Sequence, residues 1–93
     1  MSNGAVGYIY GGNVPKNTAV IFSCDSEDDI IKMYEDFKGT YGNYIACKYI
    51  NVKNHNKIFD KLKDSLSEKF ISKNTYSCDQ LDVLSKLKEL ARQ

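Results

Sequence analysis

Apolar and polar positions along the chain repeat with two different periods. Residues 19–24 (Ala19, Val20, Ile21, Phe22, Ser23, Cys24) form a nearly continuous apolar run rich in β-branched and aromatic side chains, which predicts a strand covered on both faces and central to its sheet. Residues 4–10 alternate, with Val6, Tyr8 and Tyr10 on one face and Ala5, Gly7 and Ile9 on the other, so they predict a first strand. The connection through Gly11, Gly12, Asn13 and Pro15 is turn-rich and fits an antiparallel hairpin. It is no phosphate cradle, because a strand follows it where such a loop needs a helix.

The period then changes. Ser26, with Asp29 three residues on, is placed to cap a helix, and Asp25, Glu27, Asp28 and Asp29 favour the positive end of its dipole. Ile30, Met33, Tyr34 and Phe37 recur at helical spacing until Gly39, a natural stop. Residues 44–52 read as a third strand whose one charge is Lys48, with Tyr34, Tyr44 and Tyr49 at core-type positions. Asn54 or Asn56 can open a second helix, with Ile58, Phe59, Leu62, Leu66 and Phe70 as its apolar stripe. Residues 72–78 predict a small edge strand at Thr75 and Tyr76. Ser77 with Gln80, or Asp79 with Asp82, can then cap a last helix carrying Leu81, Val83, Leu84, Leu87, Leu90 and Ala91. The expected fold is α+β: a three- to four-stranded, mainly antiparallel sheet packed with three helices, in the order β-β-α-β-α-(β)-α. A parallel βαβ arrangement of residues 18–52 is the alternative.

At 93 residues the chain has material for one modest core, so residues 1–93 are expected to be a single domain. Thirteen basic residues against twelve acidic ones leave a net charge of +1, so nucleic-acid or anionic-membrane binding requires a local patch. No apolar run is long enough to span a bilayer, and Met1, Ser2 and Asn3 do not begin a signal sequence, which implies a cytoplasmic protein. All the basic residues except Arg92 are lysine, and asparagine is abundant. That bias fits AT-rich coding, as in a parasite or a large virus, and a viral protein would act in the host cytoplasm or the virion.

Candidate chemistry is sparse. Cys24, Cys47 and Cys78 have neither disulfide nor zinc-ribbon spacing. Cys24 ahead of a helix is a candidate thiolate opposed by its acidic neighbours; the simpler expectation is that Cys24 and Cys47 are shielded and Cys78 is the most reactive. His55 is the only histidine, in a polar loop, so no His pair is present for a metal, and no metal or cofactor is expected. Lys53, Lys57, Lys61 and Lys63 form a candidate basic patch interrupted by carboxylates, and Tyr8, Tyr10, Tyr41 and Tyr76 are the tyrosines left free to stack.

Gly7-Tyr8-Ile9-Tyr10, then a loop, a strand, a helix, a strand and a lysine-rich helix, resembles the GIY-YIG nuclease module in the compact form carried by phages and large DNA viruses. Residues 57–63 and 70–76 are similar in layout to that family's helix and its following asparagine-containing turn. The resemblance implies that Tyr8 or Tyr10 stands for the tyrosine that helps activate water, and Asn74 for the turn asparagine. The second motif is replaced by Val20, Ile21, Phe22 and Ser23, the first helix has no arginine, and Lys57 to Phe59 stand at the metal-binding glutamate's place, with only Asp60 nearby. The resemblance therefore implies a scaffold without its catalytic set.

The expected function is a non-catalytic structural or protein-interaction module that self-associates or joins a protein partner. Val6, Tyr8, Tyr10, Leu84, Leu87 and Leu90 are its candidate contact surface. The alternative is nucleic-acid binding on the inactive nuclease-like scaffold through Tyr8, Tyr10, Lys53, Lys57, Lys61, Lys63 and Asn74.

Overall fold

The computed structural model describes residues 4–92, so the N-terminal reading at Met1, Ser2 and Asn3 lies outside the described residues. Strand β1 (Gly4–Gly11) and strand β2 (Ala19–Cys24) form an antiparallel hairpin, with Tyr8 opposite Ile21. Helix α1 (Asp28–Tyr41) leads to β3 (Ile45–Val52), which pairs antiparallel with the other side of β1. Helix α2 (His55–Ser65) and a short 3-10 turn, Ser67–Lys69, precede the hairpin β4 (Phe70–Ser72) and β5 (Thr75–Tyr76); helix α3 (Gln80–Ala91) closes the order. The sheet has five strands in the order β3-β1-β2-β5-β4, every pairing antiparallel. The α+β class and the central position of the Ala19 strand are as expected. The parallel alternative is met in direction only: β2 and β3 each run antiparallel to β1 and so parallel to one another, a β-α-β unit split by β1, and the two strands are not hydrogen-bonded neighbours.

Both faces of the sheet are covered, which is why β2 is apolar throughout. Ala5, Ile9, Val20, Phe22 and Cys24 face α1 and meet Ile30, Met33, Tyr34 and Phe37. Val6, Tyr8, Ala19 and Ile21 face the other way and pack on Ile58 and Leu62 of α2 and Val83, Leu87 and Leu90 of α3. Gly7 lies where the sheet needs a flat spot. A Cβ there would sit 2.2 Å from the Lys48 carbonyl oxygen and 2.7 Å from Phe22 Cζ.

Several boundaries differ from expectation. Glu27 holds the cap position of α1 without a side-chain cap bond; the Ser26 contribution is its carbonyl, which accepts from the Asp29 N–H. The helix passes through Gly39 and stops at Gly42, whose φ of 93° suits only glycine and whose N–H donates to the Lys38 carbonyl. The Asn54 side chain makes no cap bond, whereas Asp79 caps α3 by accepting from the Leu81 N–H at 3.1 Å. Phe70 leaves the α2 stripe, because the helix ends at Ser65 and the chain re-forms as a strand.

Candidate interaction site

The expected contact surface is largely internal. Val6 and Tyr8 belong to a strand paired on both sides, and Leu87 and Leu90 are buried against it, so these four side chains hold the core together and offer nothing to a partner. Tyr10 and Leu84 are half-buried on the same cluster. α3 spends its apolar stripe on the sheet beneath it, which a helix of this amphipathicity does whenever an open sheet face lies within reach.

The nucleic-acid residues are dispersed. Lys53 and Lys57 line one open recess with Asn54, His55 and Asn56 at the amino end of α2. Lys61 is half-buried one turn on. Lys63 lies 3.5 Å from Asp60 Oδ1 and 4.8 Å over the Phe59 ring, so its charge is engaged on its own helix. Asn74 forms the β4–β5 turn at φ 56°, where its carbonyl accepts from the Ile21 N–H. Tyr8 is fully buried with its ring 5.7 Å from Tyr10, and its hydroxyl has no protein partner. Burial first, and then Tyr10, Asp79 and Cys47, push its pKa up to about 12. A phenol so enclosed neither stacks on a base nor reaches a water at a phosphate. Tyr76 is buried as well, while Tyr44 and Tyr49 are exposed, the reverse of the sequence expectation.

His55 is not a loop side chain in solvent. It opens α2, its Nε2 lies 2.9 Å from Asp25 Oδ1, and its Nδ1 is buried beside Gly4 without a partner. An acid–base histidine must present its free nitrogen to the reaction. Here that nitrogen points inward, and the pair serves as a tie between the β2–α1 loop and the start of α2. Glu27 accepting from the Asn51 side chain makes a second tie close by. The acidic run thus holds two junctions together as well as favouring the start of α1.

The thiols are quiet. Cys24 and Cys78 are buried and Cys47 is half-buried, so Cys47, and not Cys78, is the most accessible. All three pKa values are raised, each by burial first; Asp29 and Asp25 add to the effect at Cys24, and Cys47 is pushed up to about 11. The thiolate reading of Cys24 is overturned, since desolvation and two carboxylates outweigh the helix end. Among the described residues no group of three or more His, Cys, Asp or Glu side chains is arranged to hold a metal ion, and no helix is long and apolar enough to cross a membrane.

The exposed apolar surface lies mainly at the two ends of the sheet. At one edge Tyr44 is 90% exposed just before β3, and Tyr49 within it is 43% exposed. At the other, Phe70 and Ile71 of β4 are 56% and 54% exposed, with Ile71 at an irregularity in the β4–β5 pairing. Sequence reasoning assigned Tyr44 and Tyr49 to the core and Phe70 to a helix. The Lys73-Asn74 turn was the available signal that residues 70–76 form a hairpin. Comparison with protein-family models, with curated proteins and with solved structures finds no match to the chain.

Proposed function

We infer that the chain is a non-catalytic protein-interaction module that makes its contacts through the edges of its sheet. The observation that supports this is the placement of Tyr44, Tyr49, Phe70 and Ile71 in solvent beside strands with one unpaired side. A sheet edge offers a row of backbone donors and acceptors to an added strand, and apolar side chains beside it give such a strand something to bury. The inward-facing histidine nitrogen and the enclosed Tyr8 hydroxyl support a role without catalysis. The test replaces Tyr44, Phe70 or, as a control on the exposed side of α3, Glu89 with photoreactive benzoylphenylalanine. Irradiation in extract is expected to give discrete cross-linked species at the two edge positions and none at Glu89. Equal labelling at all three, or none at any, refutes the reading.

A second reading is nucleic-acid binding on a nuclease-like scaffold without its catalytic set, favoured by Lys53 and Lys57 lining one recess beside two asparagines. Phosphate contacts by these lysines would make affinity fall with added salt, with a slope set by the number engaged. Titration of labelled single- and double-stranded DNA at two salt concentrations tests it, and absence of salt-sensitive micromolar binding removes it.

A further inference from the structure

The two edges are not equivalent, and the difference points to one partner. β4 is short, its pairing with β5 shifts between Phe70 and Ser72, and Lys69 and Lys73 flank it. Paired antiparallel with its own copy about Ile71, it would set each Lys69 against a Lys73. A short, irregular, lysine-flanked edge is one that resists self-pairing. β3 is longer, and its register with β1 runs unbroken from Gly4 opposite Val52 to Gly11 opposite Ile45. No strand among the described residues covers its other side.

We propose that β3 is a homodimerisation edge at which a second copy of this chain pairs antiparallel about a two-fold axis through Tyr49. The proposal rests on the interaction-module reading and names the occupant of one edge. A two-fold axis relating antiparallel neighbours stands perpendicular to the sheet, so one residue lies opposite its own copy. Lys48 on the axis would set two ammonium groups directly across from each other, which opposes pairing. Cys47 or Ile50 on the axis leaves much of β3 without a partner. Tyr49 on the axis pairs the strand from Ala46 to Val52, places Lys48 opposite Ile50 of the partner subunit and Cys47 opposite Asn51 of the partner subunit, and sets no like charges directly opposite, the two Lys48 side chains being diagonal neighbours free to turn apart into solvent.

Tyr49 suits that place. It stands opposite Gly7, which gives it no side-chain neighbour across the ladder, and it is partly open to solvent. Two such rings meeting at the axis would cover each other. A single added ladder buries less than a standard interface, so the dimer should be weak and reversible.

Sedimentation velocity on the full chain, over concentrations reaching the millimolar, is expected to show a reversible monomer–dimer equilibrium. Tyr49→Lys should abolish the dimer while leaving the circular dichroism spectrum unchanged. In a Cys47→Ser background, mild oxidation should cross-link Tyr49→Cys, because on-axis Cα atoms lie about 5 Å apart, within disulfide reach. Asn51→Cys, displaced from its own copy by several residues, should stay uncross-linked. A monomer throughout, a dimer indifferent to Tyr49→Lys, or cross-linking at Asn51→Cys in place of Tyr49→Cys overturns the proposal. A monomer that still gives photo-cross-links at Tyr44 and Phe70 overturns the dimer alone, whereas loss of both overturns the interaction module itself.

Discussion

Removing the Tyr8 hydroxyl should stabilise this protein. The side chain is fully buried between β1 and the α2–α3 layer, and its oxygen has no protein partner. Tyr8→Phe keeps the ring, its contact with Tyr10 and the packing around it, and deletes only a polar group that was desolvated without compensation. An unsatisfied buried hydroxyl costs about 1–3 kcal/mol, so the gain should be about 1 kcal/mol or more. For a domain of this size that is a rise in Tm of roughly 4–8 °C. Calorimetry or urea titration of both proteins measures it. The same substitution should change the response to alkali. The folded-state pKa of Tyr8 is pushed up to about 12 from its ordinary value of 10.0, so the unfolded chain loses this proton first. The contribution of the neutral phenol is fully present below pH 10 and is lost as pH rises from 10 towards 12. Tyr8→Phe should flatten that part of the stability profile. A loss of stability by more than about 0.5 kcal/mol would refute the reasoning by showing that the hydroxyl is hydrogen-bonded in the folded protein, and an unchanged alkaline slope would refute it by showing that Tyr8 ionises as readily folded as unfolded.

Gly7→Ala should destabilise by about 1–3 kcal/mol, since its Cβ would meet the Lys48 carbonyl and force β1 and β3 apart; denaturant melts of the variant check this. Leu87→Ala, at a fully buried position on α3, should cost about 2–5 kcal/mol. Leu81→Ala, at a residue 61% exposed on the same helix, should change stability by no more than about 0.5 kcal/mol, and equal effects would contradict the packing of α3 on the sheet. A thiol reagent should label Cys47 ahead of Cys24 and Cys78, slowly at neutral pH and faster as pH approaches 11, followed by mass spectrometry of the digested protein. Fastest labelling at Cys78 would overturn the burial order.

The sequence by itself determined the elements whose pattern is local. The unbroken apolar run of Ala19 to Cys24 required cover on both faces, and α1 on one side with α2 and α3 on the other supply it. The helical spacing of Val83, Leu87 and Leu90 specified the buried stripe of α3, and its start was narrowed to Ser77 or Asp79, of which the structure uses Asp79. Periodicity shows that a face must be buried but not which surface buries it. The same stripe therefore served equally as a contact for a partner until the tertiary structure placed it over Val6 and Tyr8. Sheet order was illegible for a related reason: residues 44–52 carry the composition of a strand, and only the path of α1 across β1 makes them an edge, leaving Tyr49 open. The Asp25–His55 tie joins residues thirty positions apart and depends on two loops meeting at one end of the sheet. Tyr8 shows the limit most sharply. In the sequence it is one of two tyrosines in an alternating strand; the layer of α2 and α3 over that face withdraws it from solvent and raises its pKa, because the cost of ionising a phenol is set by what surrounds it in space and not by its neighbours along the chain.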